Sequence, residues 1–150
     1  MDESTFLADI IFVFHIGIVL FVLFAPFIQI PAILILHITF CLSLLVHWYA
    51  NSNMCSLTLL EAHFRGLDHN HTFTHKLIAP MYDISETDAS TIAYIIAYSM
   101  MFISIYYLYN SQEFKDALDD YKNSDGGLYN LFKSFGSLLI IKKNEYKIEK

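Results

Sequence analysis

The chain has 150 residues, of which 55% are hydrophobic and 16% aromatic, and its mean hydropathy is +0.44. That is more apolar matter than one soluble domain of this length needs for a core, and the length itself points to one domain. The net charge of −6 comes without any basic stripe, which excludes nucleic acid as a partner and weighs against polyphosphates. Residues 1–110 carry eight acids and two bases, whereas residues 111–150 carry seven acids and seven lysines.

The N-terminus is acidic, lacks a basic n-region and runs into an apolar stretch too long for a signal peptide, so it reads as a retained anchor. A first span is predicted over residues 6–28, with Asp9 and His15 as its only strongly polar residues. Its apolar residues cover nearly every face, as in a lipid-embedded helix. Pro26 ends it, and Pro31 suits the first turn of the next helix. The two should therefore form a tight antiparallel hairpin. The second span is predicted over residues 31–49, closing on His47-Trp48-Tyr49, aromatic residues typical of the headgroup zone.

Residues 50–90 are polar and form an interfacial loop. Within it, Thr58 and Glu61 have the spacing of a capping box. Glu61 and Arg65 follow at i, i+4 with the acid first, the favourable order. Leu59, Leu60, His63, Phe64 and Leu67 share one face of the resulting helix, and Glu61, Ala62 and Arg65 lie opposite. A third span, residues 91–109, contains no charge and ends in Tyr106, Tyr107 and Tyr109. Beyond it the spacing of Phe114, Leu118 and Tyr121 predicts that the helix continues into water as an amphipathic segment. After Gly126-Gly127, a second apolar face carries Leu128, Leu131, Phe132 and Phe135. It can lie flat on a membrane or pack on the protein itself.

These elements define an all-α, membrane-embedded bundle of three spans over residues 1–110, with an interfacial helix and an amphipathic tail over residues 111–150. Every backbone polar group inside lipid must be satisfied within the chain, which apolar helices achieve. Lysines over the whole chain favour a cytoplasmic tail. Close to the spans, where the rule applies, bases on the two sides are equal in number.

Four chemistries can be tested against the residues. Cys41 and Cys55, fourteen residues apart, would sit roughly 20 Å apart along a helix, beyond disulfide reach. Cys55 near a helix start is either a reactive or lipidated thiol or a small buried residue. Folding the hairpin about Gln29-Ile30 brings His15 within about one turn in depth of His47, a pair that could ligate haem or a metal. Histidines hydrogen-bonded between helices explain the same residues, and His37 lies towards the opposite end. His69, His71 and His75 form a weaker metal candidate, matching no closed zinc pattern. There is no nucleotide loop, no nucleophile with an evident base and no complete metal signature, so a non-enzymatic role without a cofactor is expected. The expected partners are the lipid bilayer and other membrane helices, including further copies of the chain. A small oligomeric channel or transporter is the remaining alternative.

The run Cys55-Ser56-Leu57-Thr58-Leu59-Leu60-Glu61-Ala62-His63-Phe64-Arg65 resembles the signature Cys-Pro-Leu-Thr-x-Leu-Glu-x-x-Leu-Arg of a bacterial family of small multipass membrane proteins without assigned function. Leu7-Ala8-Asp9, His15 and Phe21 resemble the family's opening span, and Phe73, Pro80 and Tyr82 its closing Pro-x-Tyr segment. Ser56 and Phe64 depart from the pattern, and loss of the proline loosens the turn before the helix. The resemblance singles out Cys55, Leu57, Thr58, Leu60, Glu61 and Arg65 as a structural signature. It extends to short proteins of large DNA viruses of eukaryotes, in keeping with an Ile-, Tyr-, Asn- and Lys-rich usage that implies an AT-rich genome. A host-cell or viral internal membrane is the location this implies.

Overall fold

The structure, a computed structural model, describes residues 3–67 and 86–140. Among these residues it is all-α. Helix α1 spans Glu3–Phe24, α2 Pro31–Ala50, α3 Ser56–Arg65, α4 Glu86–Asn110, α5 Gln112–Lys122 and α6 Leu128–Gly136, with short 3-10 turns at Ala25–Ile28 and Ser137–Leu139. Three stretches are long and apolar enough to cross a membrane: Glu3–Ile28, Pro31–Ala50 and Asp88–Asn110.

The turn between α1 and α2 follows from its prolines. Pro26 lies in the 3-10 turn, Gln29 takes a left-handed conformation (φ 57°) and Ile30 is extended before Pro31, as the residue preceding a proline must be to avoid its ring. The two helices do not pack closely along their length, contrary to the tight hairpin expected from the short connection. Their backbones approach at few points, and the neighbour lying closest along α1 is α3. Near the turn they are joined by aromatic contacts of Phe21 with Phe40 (5.5 Å between centroids) and with His37 (5.6 Å).

Helix α4 runs antiparallel to α2. Cys41 and Leu45 of α2, Ala97 and Met101 of α4, and Val22 of α1 form the buried core. Trp48 meets Tyr94 edge to face at 5.3 Å. On α4 the inward positions are Tyr94, Ala97, Met101 and Ser104, steps of three and four residues that keep one helical stripe on the partner. Ala97 and Ser104 are small, which lets the backbones approach. Most other large apolar side chains of the spans face outward, including Val13, Phe14, Val46 and Phe102, each more than 60% exposed. An apolar perimeter of this extent suits lipid and is unsuited to water.

The chain does not carry α4 smoothly into α5. Ser111 is extended (φ −66°, ψ 146°), and its hydroxyl accepts the Phe114 N–H at 3.3 Å. A serine N-cap thus ends one helix and begins another, where the continuous apolar spacing had predicted one rod. Gly126 and Gly127, both with positive φ, then turn the chain so that α6 folds back. Phe135 packs on Phe114 (5.7 Å) and Tyr121 (6.3 Å) of α5, and Leu138 is buried.

Candidate functional site: the α1–α3 clasp and the His37 node

Helix α3 begins earlier than the expected capping box. Its N-cap is Cys55, so Thr58 lies inside the first turn and does not cap it. The helix ends at Gly66, whose left-handed φ of 63° lets Gly66 N–H bond His63 O (3.1 Å) and Leu67 N–H bond Ala62 O (3.0 Å). This pair of bonds is a Schellman closure. The amphipathic helix turns its polar side to the protein: Thr58, Glu61 and Ala62 are buried, while Leu60 is exposed and Leu57 half-buried.

Arg65 binds α3 to α1. Its Nε donates to Glu61 Oε1 at 2.9 Å and its Nη2 to Asp9 Oδ1 at 2.8 Å. The Glu61 side chain is only 4% exposed and that of Arg65 20%, whereas that of Asp9 is 54% exposed. The hydrogen bond to Glu61 raises the guanidinium above its ordinary value, against the opposing effect of burial, and Asp9 adds to the rise. Buried Ala8 on α1 and Ala62 on α3 are small enough to admit the close approach of the two backbones.

At the other end of α3, Cys55 Sγ lies 3.9 Å from Nε2 of buried His15. Helices α1 and α3 are therefore antiparallel, with His15 beside the start of α3 and Asp9 beside its end. Burial of Cys55 pushes its thiol up. That is the largest single influence, but the hydrogen bond to His15 and the backbone N–H groups of Thr58 and Leu57 together outweigh it and bring the thiol down from 9.0 to about 7. The sulfur makes no hydrogen bond of full capping geometry, and the field of the helix N-terminus adds to the effect of His15 in favouring the thiolate. A nucleophile beside a base is thus present, which the sequence reading did not find because forty residues separate the two.

His47 also reaches the start of α3. Its Nε2 accepts the Ser56 N–H at 3.2 Å, satisfying a donor at the helix N-terminus. The amide nitrogen of Asn51 lies 3.2 Å from the same ring. His15 and His47 thus approach adjacent residues, Cys55 and Ser56. No group of three or more His, Cys, Asp or Glu able to hold a metal ion occurs among the described residues. His69, His71 and His75, with Phe73, Pro80 and Tyr82, lie outside the described residues.

A second polar centre lies inside the bundle at His37, towards the end opposite His15 and His47. The side chain is fully buried. Its Nε2 donates to Val22 O at 3.0 Å, one of the last carbonyls of α1, which has no amide left to receive within the helix. That assigns the lone pair to Nδ1, which accepts from Ser104 Oγ at 2.8 Å. Cys41 Sγ touches the ring at 3.4 Å. One imidazole therefore joins all three long helices.

The fold and the clasp define a class: an all-helical bundle with three potential membrane spans, braced by one short helix held through polar contacts. A family model described as Protein of Unknown function (DUF2784) matches residues 5–110, and the chain belongs to that family. The match takes in the three apolar helices and the α1–α3 clasp. No curated protein and no solved structure matches the chain.

Proposed function

We propose that the protein is an integral membrane protein serving as a structural or assembly component, a small helical unit that packs with other membrane helices. The observation that carries this reading is the use made of the buried polar side chains. His37 joins three helices, His47 receives the first amide of α3, and Arg65 links Glu61 to Asp9. Groups that a redox or transport protein would hold ready for a ligand are engaged in holding helices together. The exposed apolar perimeter offers lipid or neighbouring helices a surface for packing. The membrane of a host cell or of a virus belongs to the same reading, supported by the composition.

Extraction in mild detergent tests it. The expected result is a discrete assembly well above the 17.4 kDa of one chain, with no haem absorption and no bound metal. A monomer with a Soret band, or with stoichiometric metal, would favour the redox alternative through His15 and His47. A cation- or anion-selective conductance from a purified homo-oligomer would favour a channel.

A further inference from the structure

The segment after Gly127 presents an apolar face that the rest of the protein leaves uncovered. Leu128, Tyr129 and Phe132 are each more than 70% exposed, and Leu139 and Ile140 more than 60%. The opposite side of α6 is occupied, since Phe135 packs on α5 through Phe114 and Tyr121. Helix α5 carries the charges of this region, among them the exposed Glu113, Asp116, Asp119 and Asp120.

The position of this segment relative to α2 decides what covers it. The 3-10 turn at Ser137–Leu139 lies against α2. An open apolar groove of ≈ 370 Å³ is lined by Ile35 of α2 with Leu131, Phe132, Phe135, Gly136 and Leu139. Ile35 lies one turn into the stretch Pro31–Ala50, about 6 Å past its first residue at 1.5 Å per residue. The tail is therefore held at the level where span two enters hydrocarbon. Tyr106 and Tyr109, both exposed at the same end of α4, mark the headgroup layer there.

We infer that α6 and the turn after it form a monotopic wedge that inserts Leu128, Phe132 and Leu139 into the bilayer, with lipid acyl chains filling the groove against Ile35. The occupant is lipid because one wall of the groove is Ile35, a residue of the apolar stretch Pro31–Ala50, so lipid that solvates the span also meets the tail. Anionic headgroups are not required: Lys133 is the only base in α6, and it can extend to any headgroup from the helix side. Helix α5 lies on the water side as an acidic cover. The inference rests on the membrane-spanning reading of α2.

Full-length protein reconstituted in phosphatidylcholine vesicles provides the test. Cys55→Ser removes the accessible thiol, while Cys41 is shielded by burial. Single cysteines at Phe132→Cys, Leu139→Cys, Asp120→Cys and Val46→Cys are then labelled with a small fluorophore. Lipids brominated high in the acyl chain should quench the labels at 132 and 139 at least threefold more than the label at 120. The same lipids should quench the label at 46, which lies on the exposed flank of α2 about 6 Å before the far end of the stretch at 1.5 Å per residue. Strong quenching at 46 with equal values at 132, 139 and 120 would overturn the wedge and leave the spans intact. Quenching at 132 that falls as the protein-to-lipid ratio rises would show that a second copy covers the face, also overturning it. Absence of quenching at 46 would overturn the membrane-spanning reading itself and the wedge with it.

Discussion

The Glu61–Arg65 pair is readable from spacing alone, because i, i+4 places the two side chains together on any helix. Asp9 is not readable, since its contact with Arg65 spans fifty-six residues and depends on α3 folding back along α1. The three charges are unequal. Losing Arg65 removes the ion-pair partner of a carboxylate that is 4% exposed, and because Arg65 is itself 20% exposed the cost should fall below about 3–5 kcal/mol, that of a fully buried pair broken from one side. Asp9 is half in solvent, so Asp9→Ala should cost about 0–1 kcal/mol. Thermal unfolding in detergent should accordingly rank Arg65→Ala below Asp9→Ala, with the Glu61→Ala/Arg65→Ala double variant recovering part of the loss. Fully additive single effects would show that the pair does not act as a unit. Cys55 yields a second prediction at this scale. A thiol held at about 7 in place of 9.0 is largely thiolate at pH 8, because the folded state favours the deprotonated form above the lower value. Iodoacetamide should label Cys55 with a pH midpoint near the lower value and leave buried Cys41 untouched. His15→Gln should move the midpoint up. An unchanged midpoint would remove His15 from the account.

The helices themselves are legible from apolar length: the three that are long and apolar enough to cross a membrane lie where hydropathy puts them. Their mutual packing is not. A short connection implies antiparallel neighbours, yet it does not say how closely they lie, and α3, not α2, lies closest along α1. His37 explains how the bundle coheres despite this, because its two ring nitrogens tie the end of α1 and the C-terminal half of α4 to α2. Sequence reading treated it as one lone histidine, since neither Val22 O nor Ser104 stands near it in the chain. Replacing His37 by Leu leaves the Ser104 hydroxyl and the Val22 carbonyl buried and without this partner, at about 1–3 kcal/mol for each group left unsatisfied. His37→Leu should therefore lower the unfolding midpoint in detergent substantially, and a Ser104→Ala change in the His37→Leu background should add little. A large further loss would mean that Ser104 acts independently of the ring. The break at Ser111 was missed for a related reason: apolar periodicity continues through it, and only the competing cap of the serine hydroxyl interrupts the helix.

At the scale of the molecule, three membrane crossings, the reading proposed for the three apolar helices, would place the two ends of the described bundle on opposite faces of a membrane. Asp9, α3 and the start of α4 share one end; the α1–α2 turn, Ser111 and the tail share the other. The clasp and the His37 node both serve that arrangement, one bracing α1 from Asp9 to His15 and the other its C-terminal end. Sealed vesicles or intact cells expressing single-cysteine variants at Leu67, just after α3, and at Asp120, on α5, permit the most direct test with a membrane-impermeant maleimide. One of the two positions should react in the sealed preparation, and the other only after detergent is added. Equal labelling of both positions before detergent would contradict the three-span bundle.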